Sequence, residues 1–353
     1  IAAQWDSIER DLRASEVWSF ITGTATQQPT HIGLLLDIVA GGPQGNARPL
    51  FHTFESLRAR IHDESPDDVW NDVVDLHSLV IGWYEDRDLF HKVGFLVATG
   101  TALADLIQPA RTLTRRQFIE LLDGRISQRI GVSRSDLGDL SYDSDPSRCE
   151  RLLLLMNVET VRRRGNASER YSFASHAMRE WSLEHIAAQS AERLNRADQW
   201  TEWLRLHREA LSGLPTLAPD LRLDLVNRID EALVEITEHK FRLLEAEIIT
   251  LFDEPVDGAA ESMHSITNLA LLAGSDNSAL NNSCFEVKRR EILRMDREGR
   301  YIPPATRNVF LKYYTEAEGQ QIHFWGPHDR SAYLGAMVDA VGPYLMEADH
   351  EHD

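Results

Sequence analysis

Glu184 and His185 stand side by side in the segment Trp181-Ser182-Leu183-Glu184-His185-Ile186-Ala187-Ala188-Gln189. An acid followed by histidine at the end of an apolar strand lets the carboxylate hold a metal ion while the imidazole faces outward as a general base. Alone, the dipeptide is a weak signal, and a satisfied structural histidine is its default reading. A second segment carries the other polar groups of interest: Asn268-Leu269-Ala270-Leu271-Leu272-Ala273-Gly274-Ser275-Asp276-Asn277, followed by Asn281-Asn282-Ser283-Cys284-Phe285-Glu286-Val287-Lys288-Arg289-Arg290.

Together the two segments resemble an HNH nuclease with its ββα-metal core. In that core strand one ends in acid-His, strand two begins at an Asn, and a metal-binding Asn or His lies at the helix entrance. The nine-residue offset from Asn268 to Asn277 resembles that of the HNH domain in RNA-guided CRISPR nucleases. There the first motif reads Asp-His-Ile-Val-Pro-Gln, where this chain has Glu-His-Ile-Ala-Ala-Gln. The phrases Asn-Leu-Ala-Leu-Leu, Asn308-Val-Phe-Leu-Lys-Tyr-Tyr-Thr315 and Asp329-Arg-Ser-Ala-Tyr-Leu334 extend the likeness. They resemble the C-terminal half of GmrSD-like restriction proteins, including the SspE-type effectors of phosphorothioate-based phage defence. These join an N-terminal nucleotide-hydrolysing, modification-sensing domain to an HNH nuclease. The family's Asp-Gly-Gln-Gln-Arg nucleotide motif is absent from the sequence. The chain therefore reads as the back of a longer protein, with the nucleotide-hydrolysing domain and DNA as its partners.

The resemblance implies a role for each matching residue. His185 would take a proton from the attacking water, a task that suits an imidazole neutral near pH 7. Glu184 and Asn277 would hold one divalent cation, and oxygen ligands in an open site favour Mg²⁺ or Mn²⁺. Asn268 would hydrogen-bond across the loop that carries His185. Asn281 and Asn282 compete with Asn277 for the helix-entrance position, where Asn is also an ordinary N-cap. Two departures stand out: Glu184 replaces the commoner Asp, and some eighty residues separate motifs that compact cores hold much closer. The activity implied is a DNA endonuclease that nicks one strand, within a modification-dependent restriction system. The alternative is a regulatory or partner-binding module whose nuclease site is latent.

The elements that must position these groups are mainly helical. Trp5, Ile8, Leu12, Val17, Trp18, Phe20 and Ile21 recur at three-to-four spacing, as do Trp70, Val73, Val74, Leu76, Leu79, Val80 and Trp83. Residues 1–145 are therefore expected as a helical domain, ended by Asp143-Ser144-Asp145-Pro146-Ser147. Residues 146–300 are expected to hold the small ββα-metal core, with a helical insertion over about 190–260, and residues 301–353 a C-terminal helical cap. Tyr171-Ser172-Phe173 alternates in character and is expected as a strand or hairpin. His264 to Leu272 is read as strand-like, and a basic helix is expected from about Ser283.

That helix, with Lys288, Arg289, Arg290, Arg294, Arg297 and Arg300 among acids, fits a solvated face laced with ion pairs. Leaving a metal site, it would instead meet a phosphate backbone, and Lys288, Arg289 and Arg290 are expected to touch DNA without base specificity. Arg163, with Arg162 and Arg164, forms a second basic patch, and Arg163 is also expected to touch DNA. The Gly41-to-Asn46 stretch lacks the Gly-Lys-Ser/Thr of a phosphate cradle and reads as a loop. Ser172, Ser175 and His176 show no nucleophile elbow. His350 and His352 in the acidic tail read as solvent-exposed.

Composition narrows the class further. Of 353 residues, 42% are apolar and 26% charged, which is ordinary globular usage rather than a disordered or membrane chain. No apolar run approaches the roughly 18 residues of a membrane span. Thirty-seven basic against fifty-six acidic residues leave a formal charge of −19, so any nucleic-acid contact must be local. Two cysteines, Cys149 and Cys284, are too few for a disulfide framework or a thiolate zinc site, and a cytoplasmic location is expected.

Overall fold

A computed structural model describes residues 1–42, 51–165, 168–187, 194–212, 218–252, 263–274, 283–315 and 323–347. The described chain is mainly helical, and its only sheet has two strands. It divides into two compact units, residues 1–131 with 161–179, and residues 132–160 with 180–353. These ranges differ from the expected 1–145, 146–300 and 301–353. Within the second unit, Asn157 in the helix Pro146–Arg162 accepts the Ala305 N–H at 2.7 Å, and Tyr344 Oη donates to Glu159 at 3.0 Å, so C-terminal residues pack on that helix.

In the first unit, helices begin where the local chemistry supports them. Ser65 caps the helix Pro66–Glu85 by accepting from the Asp68 N–H at 3.1 Å, with Pro66 preset for the first turn. Its Val69, Val73, Leu76, Val80 and Trp83 fall on one stripe and are buried. Asp86 caps the next helix, Arg87–Ala98, which is buried from Leu89 through Val97. Residues 161–179 join this unit through close packing. Phe173 lies where a side chain on Gly94 would have to go, and the Tyr171 N–H donates to His91 Nε2 at 3.1 Å. Tyr171-Ser172-Phe173 is not a strand: Ser172 Oγ accepts the Ser175 N–H at 3.1 Å and starts the short helix Phe173–Ala177.

The second unit carries the sheet. Strand β1, Trp181–His185, pairs antiparallel with β2, Leu269–Ala273, in a register that sets Glu184 against Ala270 and His185 against Leu269. Every residue of β2 is buried. A two-stranded ribbon leaves a bare edge, and side chains from later in the chain cover it. Thr306 Oγ1 donates to the Leu271 carbonyl at 2.7 Å and Tyr333 Oη to the Leu269 carbonyl at 3.2 Å. The strand expected from His264 starts only at Leu269, because Ser265 Oγ accepts from the Thr267 N–H and turns Ile266–Asn268 into a 3₁₀ helix.

The segment between the strands folds into the helices Ala197–Ser212, Pro219–Val234 and Glu238–Phe252. Trp200, Trp203, Leu204, Leu225, Ile229, Phe241 and Ile248 form their shared core, which continues into Cys284 and Val287 at the helix Phe285–Arg297. Trp200 and Trp203 are packing residues. His207 binds the two parts together, its Nδ1 2.8 Å from the Trp203 carbonyl and its Nε2 accepting the Cys284 N–H at 3.3 Å. Both cysteines are free and buried. No helix among the described residues is long and apolar enough to cross a membrane.

His207 gives the second unit a pH dependence. Burial pushes its imidazole from the ordinary 6.5 down to about 3, so it stays neutral while the unfolded chain protonates below 6.5. The stability it protects is complete above pH 6.5 and is lost progressively as the pH falls toward 3. Thermal unfolding of His207→Gln should therefore depend less on pH between 7.5 and 4.5 than that of the natural chain. Identical slopes for the two proteins over that window would refute this assignment.

Candidate functional site

The site grows from the last two residues of β1. Successive strand residues face opposite sides, so Glu184 turns inward and is buried, while His185 is half-buried. The inward face meets the helix Phe285–Arg297. Its Phe285, Lys288, Ile292 and Met295 are buried at helical spacing, and this places Lys288 on the apolar stripe. The Lys288 ammonium forms an ion pair with Glu184 Oε1, the two side chains being 1% and 4% exposed. It also donates to the His185 carbonyl oxygen at 2.5 Å. One cation thus grips both the carboxylate and the backbone at the end of β1.

Asn268 grips the next residues. Its side chain is completely buried. Nδ2 donates to the carbonyls of Ala187 and Met263, both at 2.9 Å, and Oδ1 accepts the Ala187 N–H at 3.1 Å. The Asn268 backbone carbonyl accepts the Ile186 N–H at 2.8 Å. The chain leaving His185 is therefore tied at two consecutive residues to the turn that begins β2.

On the outward face His185 meets a cluster that sequence reasoning missed. His264 Nδ1 lies 3.1 Å from His185 Nε2, and the far nitrogen of His264 is 3.8 Å from Asp143 Oδ2. The Tyr142 ring lies 5.6 Å from the His185 ring, centroid to centroid. The Tyr142 N–H donates to the His264 carbonyl at 2.8 Å, which brings residues 142–143 to the site. The available signal was a histidine four positions before Asn268, at the start of the strand-like run.

The expected DNA-contacting cations are placed differently. Lys288 is not on an open face, because its stripe packs inward. Arg289 and Arg290 are half-buried and turn toward the buried Glu286; Arg290 Nε donates to Glu286 Oε1 at 2.6 Å and its Nη1 to the Glu209 carbonyl at 3.0 Å. Arg163 is exposed, but it belongs to the first unit, where its neighbour Arg162 pairs with Asp88 at 3.0 Å. Asn277, Asn281 and Asn282, and the Gly-rich residues 43–46, lie outside the described residues.

A divalent ion seated directly on Glu184 does not fit these donors. The carboxylate already faces a buried ammonium, and a second cation at the same oxygens would be repelled by the first. Among the described residues no three His, Cys, Asp or Glu side chains gather as a metal-binding group. What the arrangement offers chemically is a half-buried imidazole, held at a fixed strand end, beside a second imidazole and a tyrosine ring. The chain matches no family model, no curated protein and no solved structure.

Asn268→Ala should lower the stability of the chain by about 1–3 kcal/mol, because it strands the buried Ala187 groups and the Met263 carbonyl. Denaturant unfolding measures this. A loss of under about 0.5 kcal/mol, within the ordinary range of surface substitutions, would show that the clamp is not structural.

Proposed function

We propose that the chain is an HNH-type DNA endonuclease that nicks one strand, the nuclease module of a modification-dependent restriction system. The single observation that carries this reading is the end of β1: Glu184-His185 at the close of one strand, with Asn268 at the start of its antiparallel partner clamping the loop that follows. The order strand, strand, helix, with Phe285–Arg297 behind the pair, supports the same reading. The substrate is DNA, and the expected partner is a nucleotide-hydrolysing domain of the same longer protein.

In this reaction His185 takes a proton from water as the water oxygen bonds to phosphorus. The bond from phosphorus to the 3′ oxygen breaks, that oxygen takes up a proton, and a 5′ phosphate remains. Asn268 and Lys288 keep the strand end that presents the imidazole from moving during the step. Mg²⁺ or Mn²⁺, hard cations that favour phosphate oxygens, belong to the reading as a requirement that EDTA tests.

A second reading is a partner-binding module with a latent nuclease site. The contact between His185 Nε2 and His264 favours it, since it engages the nitrogen a base would use, and so does the formal charge of −19. Supercoiled-plasmid nicking separates the two. A nuclease converts plasmid to open circles in Mg²⁺ or Mn²⁺, and EDTA abolishes this. His185→Ala should then slow nicking by about 10²–10⁴-fold, the usual worth of a general base. Unchanged nicking in the variant would end the nuclease assignment at His185, and no nicking by the natural chain would favour the latent module.

A further inference from the structure

We propose that Lys288 is an internal cation that occupies Glu184 in place of a divalent metal ion, and that it acts as a positioning residue for His185. The inference rests on the reading of His185 as the base of a nuclease, but its central claim concerns only what Glu184 binds. Three observations carry it. The ammonium and the carboxylate are both almost fully buried and in direct contact. The same Nζ reaches the His185 carbonyl at 2.5 Å, so the cation is shared between the acid and the backbone of the residue beside it. Lys288 is part of the buried stripe with Phe285, Ile292 and Met295, so its stem is held by packing.

The chemistry follows from burial. An isolated carboxylate at that depth would be costly to ionise, and a matched cation is the ordinary solution. A divalent ion supplies that charge in an open site, where water and substrate complete its shell. Here a lysine supplies it from within the fold, and the carboxylate becomes an anchor for the strand end. The partners lie 104 residues apart in the chain, so the pair joins the helix to β1 directly. Any metal used in phosphodiester hydrolysis then has its ligands elsewhere, and Glu184 sets the position of His185 indirectly.

The test is Mn²⁺ binding by the full chain, followed by electron paramagnetic resonance of the free ion, for the natural protein, Glu184→Gln, Lys288→Met and the double variant. Glu184→Gln should leave Mn²⁺ affinity within about twofold of the natural value, whereas Lys288→Met, which bares the carboxylate, should raise it at least about tenfold. The double variant, with both charges gone, should lose that gain and melt at a higher temperature than the two single losses added together would allow. The double variant also keeps the test open should a single variant fold poorly. An affinity that drops tenfold in Glu184→Gln and is unchanged in Lys288→Met would overturn the proposal by making Glu184 a metal ligand. Neither result depends on nicking, so the nuclease reading stands or falls separately with His185→Ala.

Discussion

A charge buried in a protein persists only beside an opposite charge, and the Lys288–Glu184 pair is the contact on which the candidate site depends. Removing one partner of such a pair costs about 3–5 kcal/mol, although the intact pair is worth little against apolar residues of the same size. Its use is therefore geometric. The ammonium reads two features at once, the carboxylate of Glu184 and the carbonyl of His185, and only one placement of β1 against the helix Phe285–Arg297 satisfies both. Asn268 adds a second constraint on the following two residues. Between them, His185 is held from both sides of its own peptide unit.

Holding these contacts requires closing a long loop. Its entropy cost grows only with the logarithm of length, so what matters is whether the intervening chain folds. It does, around Trp203, Leu225, Ile229 and Phe241. That core does more than fill space. It continues into Cys284 and Val287, and His207 accepts the Cys284 N–H at the very start of the helix that carries Lys288. The insertion is thus a buttress for the helix that neutralises Glu184, which explains how an eighty-residue interruption is compatible with a fixed strand end. The covered edge of β2 serves the same purpose from the other direction, through Thr306 and Tyr333.

Much of this was legible in the residues themselves, and what was not has a common cause. Helical periodicity located the long helices, since the stripes of Val73, Leu76 and Val80 or of Trp200, Trp203 and Leu204 are local signals. The strand that ends in Glu184-His185 is expected from the resemblance to a ββα-metal core, not from a periodicity of its own. Lys288 is buried rather than DNA-facing, although a lysine in a run of arginines reads as solvated. Its spacing to Ile292 and Met295 marks the buried stripe, but nothing local identifies the acid 104 residues away that neutralises it. His264 is the parallel case, its partner His185 being 79 residues earlier. At Tyr171-Ser172-Phe173 a short alternation lost to Ser172, whose hydroxyl offers the backbone a helix cap instead.

The same pairing logic bears on nucleic acid. The helix Phe285–Arg297 carries five basic residues, yet Lys288 is spent on Glu184, Arg290 on Glu286, and Arg294 on Glu291 and Glu298. Arg289 faces Glu286 at 3.9 Å. Counterion release from DNA scales with the number of phosphates neutralised, and cations already matched within the protein contribute little to that number. With a formal charge of −19 around them, the field at long range repels a polyanion. Four of the five cations on this helix therefore face acids of the same unit.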